Sequence, residues 1–214
     1  MQCYHAILWD WNGTLLDDTA TCVDVVNEIL VQYGTPPITR TYYLEHFDFP
    51  VARFYEGLGF DFNHTDYAHL ARDYIARYRQ RQMACSLRPH VSEVLTHIQA
   101  QGLEQSILSA YQTDLLREVV SHFDLGHHFT YVQGLDNFHA ASKVEAGATL
   151  LRQLDWPRHQ VLLVGDTTHD SHVAESLDID CILLSGGHQH IDRIQTCGVP
   201  VLNSLQALPD YLGL

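Results

Sequence analysis

Short apolar runs alternate along the chain with stretches whose hydrophobic residues recur at helical spacing. The first run, Tyr4 to Trp9, has the length of a buried strand and ends at Asp10. After Pro89 the alternation predicts strands at 105–109, 129–132, 160–164 and 181–184, and helices at 91–100, 113–122, 143–154, 170–177 and 205–212. Strands separated by helices predict an α/β, Rossmann-like fold with a parallel sheet and right-handed crossovers.

The residues between the first predicted strand and Pro89 follow a helical pattern instead. Hydrophobic residues recur from Val23 to Tyr33 until Gly34 ends the run, and a second stripe extends from Leu70 to Tyr78. We therefore predict a small helical domain over residues 17–85, inserted into a Rossmann-like core formed by residues 1–16 and 86–214. Its many aromatic residues either form a packed interior or line a recognition pocket.

Polar residues stand where the predicted strands end. Asp10 ends the first strand, Ser109 the second, and Asp166 follows the fourth, while Lys143 opens the helix after the third. Ligands of open parallel sheets bind at the carboxyl ends of the strands. One such aspartate is compatible with a simple helix cap, but the four residues together favour a shared site.

The charge pattern suggests how this site works. The formal net charge is −14, and Lys143 is the one lysine beside 11 arginines. Neighbouring carboxylates repel each other unless a cation lies between them, and Mg²⁺ prefers such oxygen ligands. A compact ammonium group differs from a planar guanidinium, so a single lysine at this place favours a specific role.

Composition also excludes several classes of protein. The acidic balance disfavours a nucleic-acid or anionic-membrane partner, and we find no apolar run long enough to cross a bilayer and no signal peptide. We therefore expect a cytoplasmic protein.

The sequence contains five cysteines, Cys3, Cys22, Cys85, Cys181 and Cys197. They are scattered and odd in number, which favours free thiols. The sequence does not predict an oligomeric state.

Four segments resemble, in order, the motifs of the haloacid dehalogenase superfamily. Residues 9–18, WDWNGTLLDD, resemble the DxDGT motif, and residues 106–110, SILSA, resemble the apolar strand that ends in Ser or Thr. Lys143 stands where the third motif places its lysine, and residues 161–170, VLLVGDTTHD, resemble the GDxxxD motif. The helical insert lies where this family carries its C1 cap. The resemblance covers essentially the whole chain and is nearest to phosphoglycolate-phosphatase-like members.

The resemblance implies a role for each matching residue. Asp10 would be the nucleophile that forms an aspartyl-phosphate. Mg²⁺ would be bound by Asp10, by the backbone carbonyl of Asn12 and by Asp166, with Asp170 in the same acidic cluster. The phosphoryl group would be held by Ser109 and Lys143 and by residues of the two turns: Gly13, Thr14 and Ala110. The implied substrate is a small phosphorylated metabolite.

One residue departs from the family pattern. Family phosphatases carry a second aspartate two residues after the nucleophile, where this chain has Asn12. An amide cannot exchange a proton, and loss of a general acid–base costs about 10²–10⁴-fold in rate. Three interpretations stay open: a hydrolase specialised for good leaving groups such as acyl phosphates, another acid–base group among Asp17, Asp18 and His169, or a non-catalytic protein that binds a phosphorylated ligand or a protein partner.

The insert would decide which substrate is bound. In the cap, Arg40 and Arg53 are candidates to meet a second anionic group of the substrate, although arginines more often lie solvated on the surface. The insert has no lysine, which argues against the phosphonate-cleaving branch of the family, since that branch uses a cap lysine. Asp166 and Asp170 favour the metal-dependent, phosphoryl-handling branch over true haloacid dehalogenases.

Overall fold

The computed structural model describes residues 4–135 and 143–214. The strands of the described chain are, in sequence order, β1 (Ala6–Trp9), β2 (Leu16–Asp17), β3 (Ser86–Leu87), β4 (Glu104–Gln112), β5 (Tyr131–Leu135), β6 (Val161–Gly165), β7 (Asp180–Leu184) and β8 (Val201–Leu202). Six of them form one parallel sheet in the order β5-β4-β1-β6-β7-β8. The predicted α/β fold with a parallel sheet is therefore confirmed.

Helices cover both faces of this sheet. The helices of the described chain are α1 (Thr19–Gln32), α2 (Arg40–His46), α3 (Val51–Gly57), α4 (Tyr67–Arg79), α5 (Val91–Ala100), α6 (Thr113–His122), α7 (Lys143–Leu154), α8 (Thr168–Leu177), α9 (Ile191–Gln195) and α10 (Ala207–Leu212). Ile7 and Trp9 of β1 join the core cluster that contains residues of α5 and α6, whereas Ala6 and Leu8 join the cluster of α7 and α8. Successive side chains of a strand point to opposite faces, so a fully apolar strand such as β1 belongs in the centre of the sheet.

The register places three polar residues of the central strands at nearly one level. Trp9 of β1 lies beside Ile107 of β4 and Val164 of β6. Asp10 and Asp166 follow β1 and β6 directly, whereas Ser109 lies within β4, where its register with β5 shifts. This alignment brings residues that are distant in sequence to one edge, at the carboxyl ends of the strands.

Helices α1 to α4 lie between β2 and β3 in the chain. These two short strands pair antiparallel, with Leu16 opposite Leu87 and Asp17 opposite Ser86, so the chain enters and leaves the helical segment at adjacent points. The division into a cap of residues 17–85 and a core remains a prediction. Aromatic side chains pack closely within the segment: the rings of Tyr43 and Phe47 are 4.8 Å apart, and those of Phe47 and Phe54 are 5.6 Å apart at 77°.

The predicted elements differ from the observed ones mainly at their ends. The strand expected at 129–132 is observed at Tyr131–Leu135, because a 3₁₀ turn over Gly126–His128 occupies the preceding residues. The short β8 and α9, and helices α2 and α3, were not predicted separately.

Four cysteines are free thiols, as expected, and Cys3 lies outside the described residues. Among the described residues, no helix is both long and apolar enough to span a membrane.

Candidate active site

Asp10 lies at the centre of a buried charged cluster. Lys143, the first residue of α7, contacts two carboxylates: its Nζ is 2.5 Å from Asp10 Oδ1 and 2.6 Å from Asp170 Oδ1. The Thr14 hydroxyl lies 3.2 Å from Asp10 Oδ2 and donates to Asp166 Oδ1 at 2.9 Å. The structure therefore brings together five residues that the sequence predicted for one site, and all five are buried.

Asp170 anchors the turn that follows β6. Its Oδ2 accepts the Thr167 hydroxyl at 2.7 Å and the backbone amides of Asp166 and Thr167 at 3.2 and 3.0 Å. Thr167 and Asp170 form a capping box at the start of α8, which explains why this acid stands at the third helical position. Since its other oxygen accepts from Lys143, Asp170 is well placed to hold the lysine and the turn in position.

Burial and mutual repulsion change the acidity of these groups. Burial raises the pKa of Asp10 to about 7, against the opposing charge of Lys143, and raises the pKa of Asp166 to about 6. For Asp170 the outcome is reversed: burial alone would raise its pKa, but the charge and hydrogen bond of Lys143 lower it. Three buried carboxylates therefore lie beside one lysine, and a further cation would favour ionisation of all three.

Two glycines enclose the Asp166 carboxylate. Gly13 has a φ of +75°, and a Cβ at this position would overlap Asp166 and the ring of His188. A Cβ at Gly187 would also overlap Asp166. The backbone amide of His188 donates to Asp166 Oδ2 at 2.6 Å. Close backbone approach from two loops thus fixes this carboxylate.

The side chain of Asn12 is engaged in a second buried cluster. Its amide nitrogen lies 2.7 Å from Asp18 Oδ2 and 2.7 Å from the Tyr78 hydroxyl. Tyr78, on α4, donates to the same Asp18 oxygen at 2.6 Å, and the Gly13 amide donates to Asp18 Oδ1 at 3.0 Å. Asp18 thus joins the turn after β1 to the helical insert.

His188 completes this second cluster. Its Nε2 lies 3.0 Å from Asp18 Oδ1, and its Nδ1 lies 3.0 Å from the Tyr43 hydroxyl of α2. Burial alone would lower the pKa of His188, but the Asp18 charge raises it to about 9. Burial likewise opposes ionisation of Asp18, yet its pKa is lowered by His188 and by the Tyr78 and Asn12 hydrogen bonds.

His188 and the two tyrosines were missed by reasoning from sequence. The extension of the strand-end argument to β7 would have indicated His188, because a glycine-rich turn leads from that strand to it. Tyr43 and Tyr78 carried no such signal. Of the candidate acid–base groups, Asp18 is saturated with hydrogen bonds, Asp17 is exposed, and His169 stacks on Phe49 with ring centres 4.4 Å apart.

A cavity of about 170 Å³ lies above the charged cluster. Asp10, Asn12, Lys143 and Asp166 line it, together with Ser109 and Ala110 of β4. The Ser109 hydroxyl accepts the Tyr111 amide at 3.2 Å. Most of the predicted site residues therefore surround one small space, whereas Gly13 and Thr14 do not line it.

A second cavity of about 550 Å³ adjoins the first. The two share lining residues at the boundary, among them Lys143, Ala110 and His169. Most of the residues that line the larger cavity are aromatic and aliphatic ones between Tyr43 and Ile75. Arg40 and Arg53 line neither cavity, so the described structure does not place them at the candidate site.

Arg88 connects the two loops that carry the glycines. Its guanidinium donates to the carbonyl of Gly13 and to that of Ser185, both at 2.7 Å. It follows β3, where the chain leaves the helical segment. The arginine therefore fixes the candidate site to the segment's attachment point.

Two relatives of known name resemble the chain over most of its length. The chain is 23% identical to a phosphoglycolate phosphatase of Pseudomonas savastanoi over 86% of this chain and 70% of that protein. It is 24% identical to the tyrosine-protein kinase PtkA of Mycobacterium tuberculosis over 97% of this chain and 72% of that protein.

Solved structures share the fold. The structure of PtkA from Mycobacterium tuberculosis superposes with a TM-score of 0.82 at 23% identity and covers 100% of both chains. A protein of Clostridium acetobutylicum described as a predicted phosphatase also gives 0.82, at 19% identity over 99% of this chain and 100% of its own. The family model for haloacid dehalogenase-like hydrolases matches residues 7–184, and the chain belongs to that family.

Proposed function

We propose that this protein is an Mg²⁺-dependent phosphatase that acts on a small phosphorylated metabolite through an aspartyl-phosphate on Asp10. The observation that carries the proposal is the buried contact of Asp10 with Lys143 beneath a small cavity. Names of related proteins support it: the Pseudomonas relative is a phosphoglycolate phosphatase, and CbbY of Rhodobacter sphaeroides, with a TM-score of 0.75, was crystallised with phosphate.

The acidic cluster suits Mg²⁺. Carboxylate oxygens of Asp10, Asp166 and Asp170 lie within 4.8 Å of one another. Hard oxygen donors at this spacing are what Mg²⁺ requires, with water and substrate oxygens completing its shell. Asp10, Asp166 and the Asn12 carbonyl would hold the ion, with Asp170 acting indirectly. Bound there, Mg²⁺ would offset negative charge on the phosphoryl group.

The chain's own residues supply the remaining chemistry. The Asp10 carboxylate attacks phosphorus, while Thr14 and Lys143 keep it oriented. Lys143, Ser109 and the backbone near Ala110 and Gly13 hold the phosphoryl oxygens. Water then releases phosphate from Asp10. Asn12 offers no proton to the leaving group, so the leaving group departs largely as an anion.

The alternative is a weakened or inactive member that binds a phosphorylated ligand or a protein. One observation favours it: the amide of Asn12 is bonded to Asp18 and Tyr78, where an acid–base group would need a free proton. Such a protein would bind inorganic phosphate without turnover.

Phosphate release with and without Mg²⁺ tests the proposal. A panel of small phosphoesters and acyl phosphates should be turned over only with Mg²⁺ and not by Asp10→Asn. After an acid quench, mass spectrometry should find one phosphoryl group on the peptide that contains Asp10. Stabilisation by inorganic phosphate without any turnover would instead support the non-catalytic alternative.

A further inference from the structure

The larger cavity and Asn12 point to the same substrate chemistry. We propose that the cavity beside the candidate site takes an aromatic group without a charged substituent, so that the substrate is an aryl phosphate monoester. This inference rests on the proposed phosphatase function and deepens it by naming the substrate class.

The cavity has the size and surface for an aryl group. Its volume of about 550 Å³ lies within the range of small-molecule pockets, about 300–1,000 Å³. Aromatic side chains of the helical segment line it: Phe47, Phe49, Phe54, Tyr55, Tyr67 and Tyr74. These residues pack against one another on one side and border an open space on the other. Aromatic rings favour offset or edge-to-face contacts with a further ring.

The cavity is poorly suited to a second anionic group. In the described part of the chain, Lys143 is the one lysine or arginine that lines it, and its ammonium already contacts Asp10 and Asp170. A carboxylate on the leaving group, as in phosphoglycolate, would therefore lack a cationic partner in the aromatic space.

The chemistry of Asn12 selects the same class. A phenol has a pKa near 10, whereas water, which aliphatic alcohols resemble, has a pKa of about 15.7. In the first step an Asp10 oxygen bonds to phosphorus, the bond to the aryl oxygen breaks, and the electron pair leaves with the phenolate, which takes a proton from water. In the second step water adds to phosphorus, releases its proton, and frees phosphate and the Asp10 carboxylate.

The test compares phosphorylated compounds that differ in the leaving group, in the ring or in charge. Phenyl phosphate and cyclohexyl phosphate have similar size but different leaving groups, acetyl phosphate has a good leaving group without a ring, and 2-phosphoglycolate carries a carboxylate. We measure kcat/KM with Mg²⁺, because this ratio reports cleavage of the ester even where release of phosphate from Asp10 is slow. Phenyl phosphate should exceed cyclohexyl phosphate by about 10²–10⁴-fold, and 2-phosphoglycolate should be poorer still.

A cavity-filling variant separates recognition from leaving-group reactivity. Ala71 lines only the larger cavity, whereas Ala76 on the same helix is exposed and lines neither. Ala71→Trp should lower kcat/KM for phenyl phosphate about 10-fold or more, as for a lost pocket contact, and leave acetyl phosphate unchanged. Ala76→Trp should change neither. If Ala71→Trp does not fold, Ala71→Leu serves the same purpose.

The outcomes distinguish the two proposals. Preference for 2-phosphoglycolate or cyclohexyl phosphate would overturn the aryl assignment and leave the phosphatase standing. Equal loss of phenyl and acetyl phosphate turnover in a folded Ala71 variant would overturn the role of the cavity. Absence of Mg²⁺-dependent phosphate release from all four compounds would overturn both the aryl assignment and the phosphatase function.

Discussion

The side-chain amide of Asn12 donates to the carboxylate of Asp18 across 2.7 Å. An aspartate at position 12 would face Asp18 as a second buried carboxylate at this distance. Like charges this close do not both ionise without cost. The neutral amide therefore suits the Asp18 carboxylate, and a negative charge at position 12 would be unfavourable while position 18 is an aspartate.

We expect the two positions to be coupled in stability. Asn12→Asp alone should lower the free energy of unfolding by roughly 1–3 kcal/mol, and Asp18→Asn alone should also lower it, because His188 loses its anionic partner. The double variant restores the net charge of the cluster and should recover much of the loss. Urea unfolding of the unaltered protein, the two single variants and the double variant gives the coupling energy. Additive effects of the two substitutions would contradict the expectation.

The same pair should control turnover of esters with poor leaving groups. Asn12→Asp adds a carboxyl group two residues after the proposed nucleophile, and the double variant places it beside an amide instead of an acid. We expect turnover of cyclohexyl phosphate to rise by up to about 10²–10⁴-fold, more in the double variant than in the single one. A decrease in both folded variants would argue against a missing general acid.

Removal of the Lys143 ammonium should be compensated by Mg²⁺. Lys143→Met leaves Asp10 and Asp170 without their shared cation, and loss of one partner of a buried ion pair costs about 3–5 kcal/mol. In metal-free protein, urea unfolding should show this loss. Added Mg²⁺ should restore part of the lost stability, whereas KCl at equal ionic strength, free of divalent ions, should not.

Mg²⁺ should also stabilise the unaltered protein. An ion that binds only the folded chain adds about 2.7 kcal/mol at a concentration 100 times its Kd. Thermal unfolding should shift upwards with Mg²⁺, and Asp166→Asn should remove the shift. Asp178→Asn, an exposed change outside the acidic cluster, is the matched control. A shift that survives Asp166→Asn would place the bound ion elsewhere.

His128 should make stability depend on mildly acidic pH. Burial lowers its pKa below the ordinary value of 6.5, with His127 adding to the effect, while its Nδ1 contacts Gln99 Oε1 at 2.9 Å. The unfolded chain therefore binds this proton more readily, and stability falls as the pH drops through about 6.5. His128→Gln should flatten the pH dependence of urea unfolding, with exposed His69→Gln as the control.

The sequence predicted the layout of the fold because apolar periodicity reports burial directly. Helices α5, α6 and α7 begin and end at the predicted residues. The short β8 has two half-buried residues, which leave no periodic pattern. The observed strand ends differ from the predicted ones by up to three residues, because pairing with a neighbour, not hydrophobicity, decides where a strand stops.

The candidate site could be predicted only where chemistry and strand ends coincide. Asp10, Lys143 and Asp166 follow from their places after strands or at a helix start, and the structure brings them together. Tyr78 and His188 depend on how the helical segment and a distant loop fold back onto Asp18. These are tertiary contacts, so no local pattern in the sequence predicts them.

The glycines that enclose Asp166 have a consequence for sequence variation. Any side chain at position 13 or 187 would occupy the space of this carboxylate. Neither glycine can therefore gain a side chain while the Asp166 carboxylate keeps its place. Among relatives, a residue larger than glycine at either place should accompany the loss of the acid, which makes the two glycines a mark of an intact site.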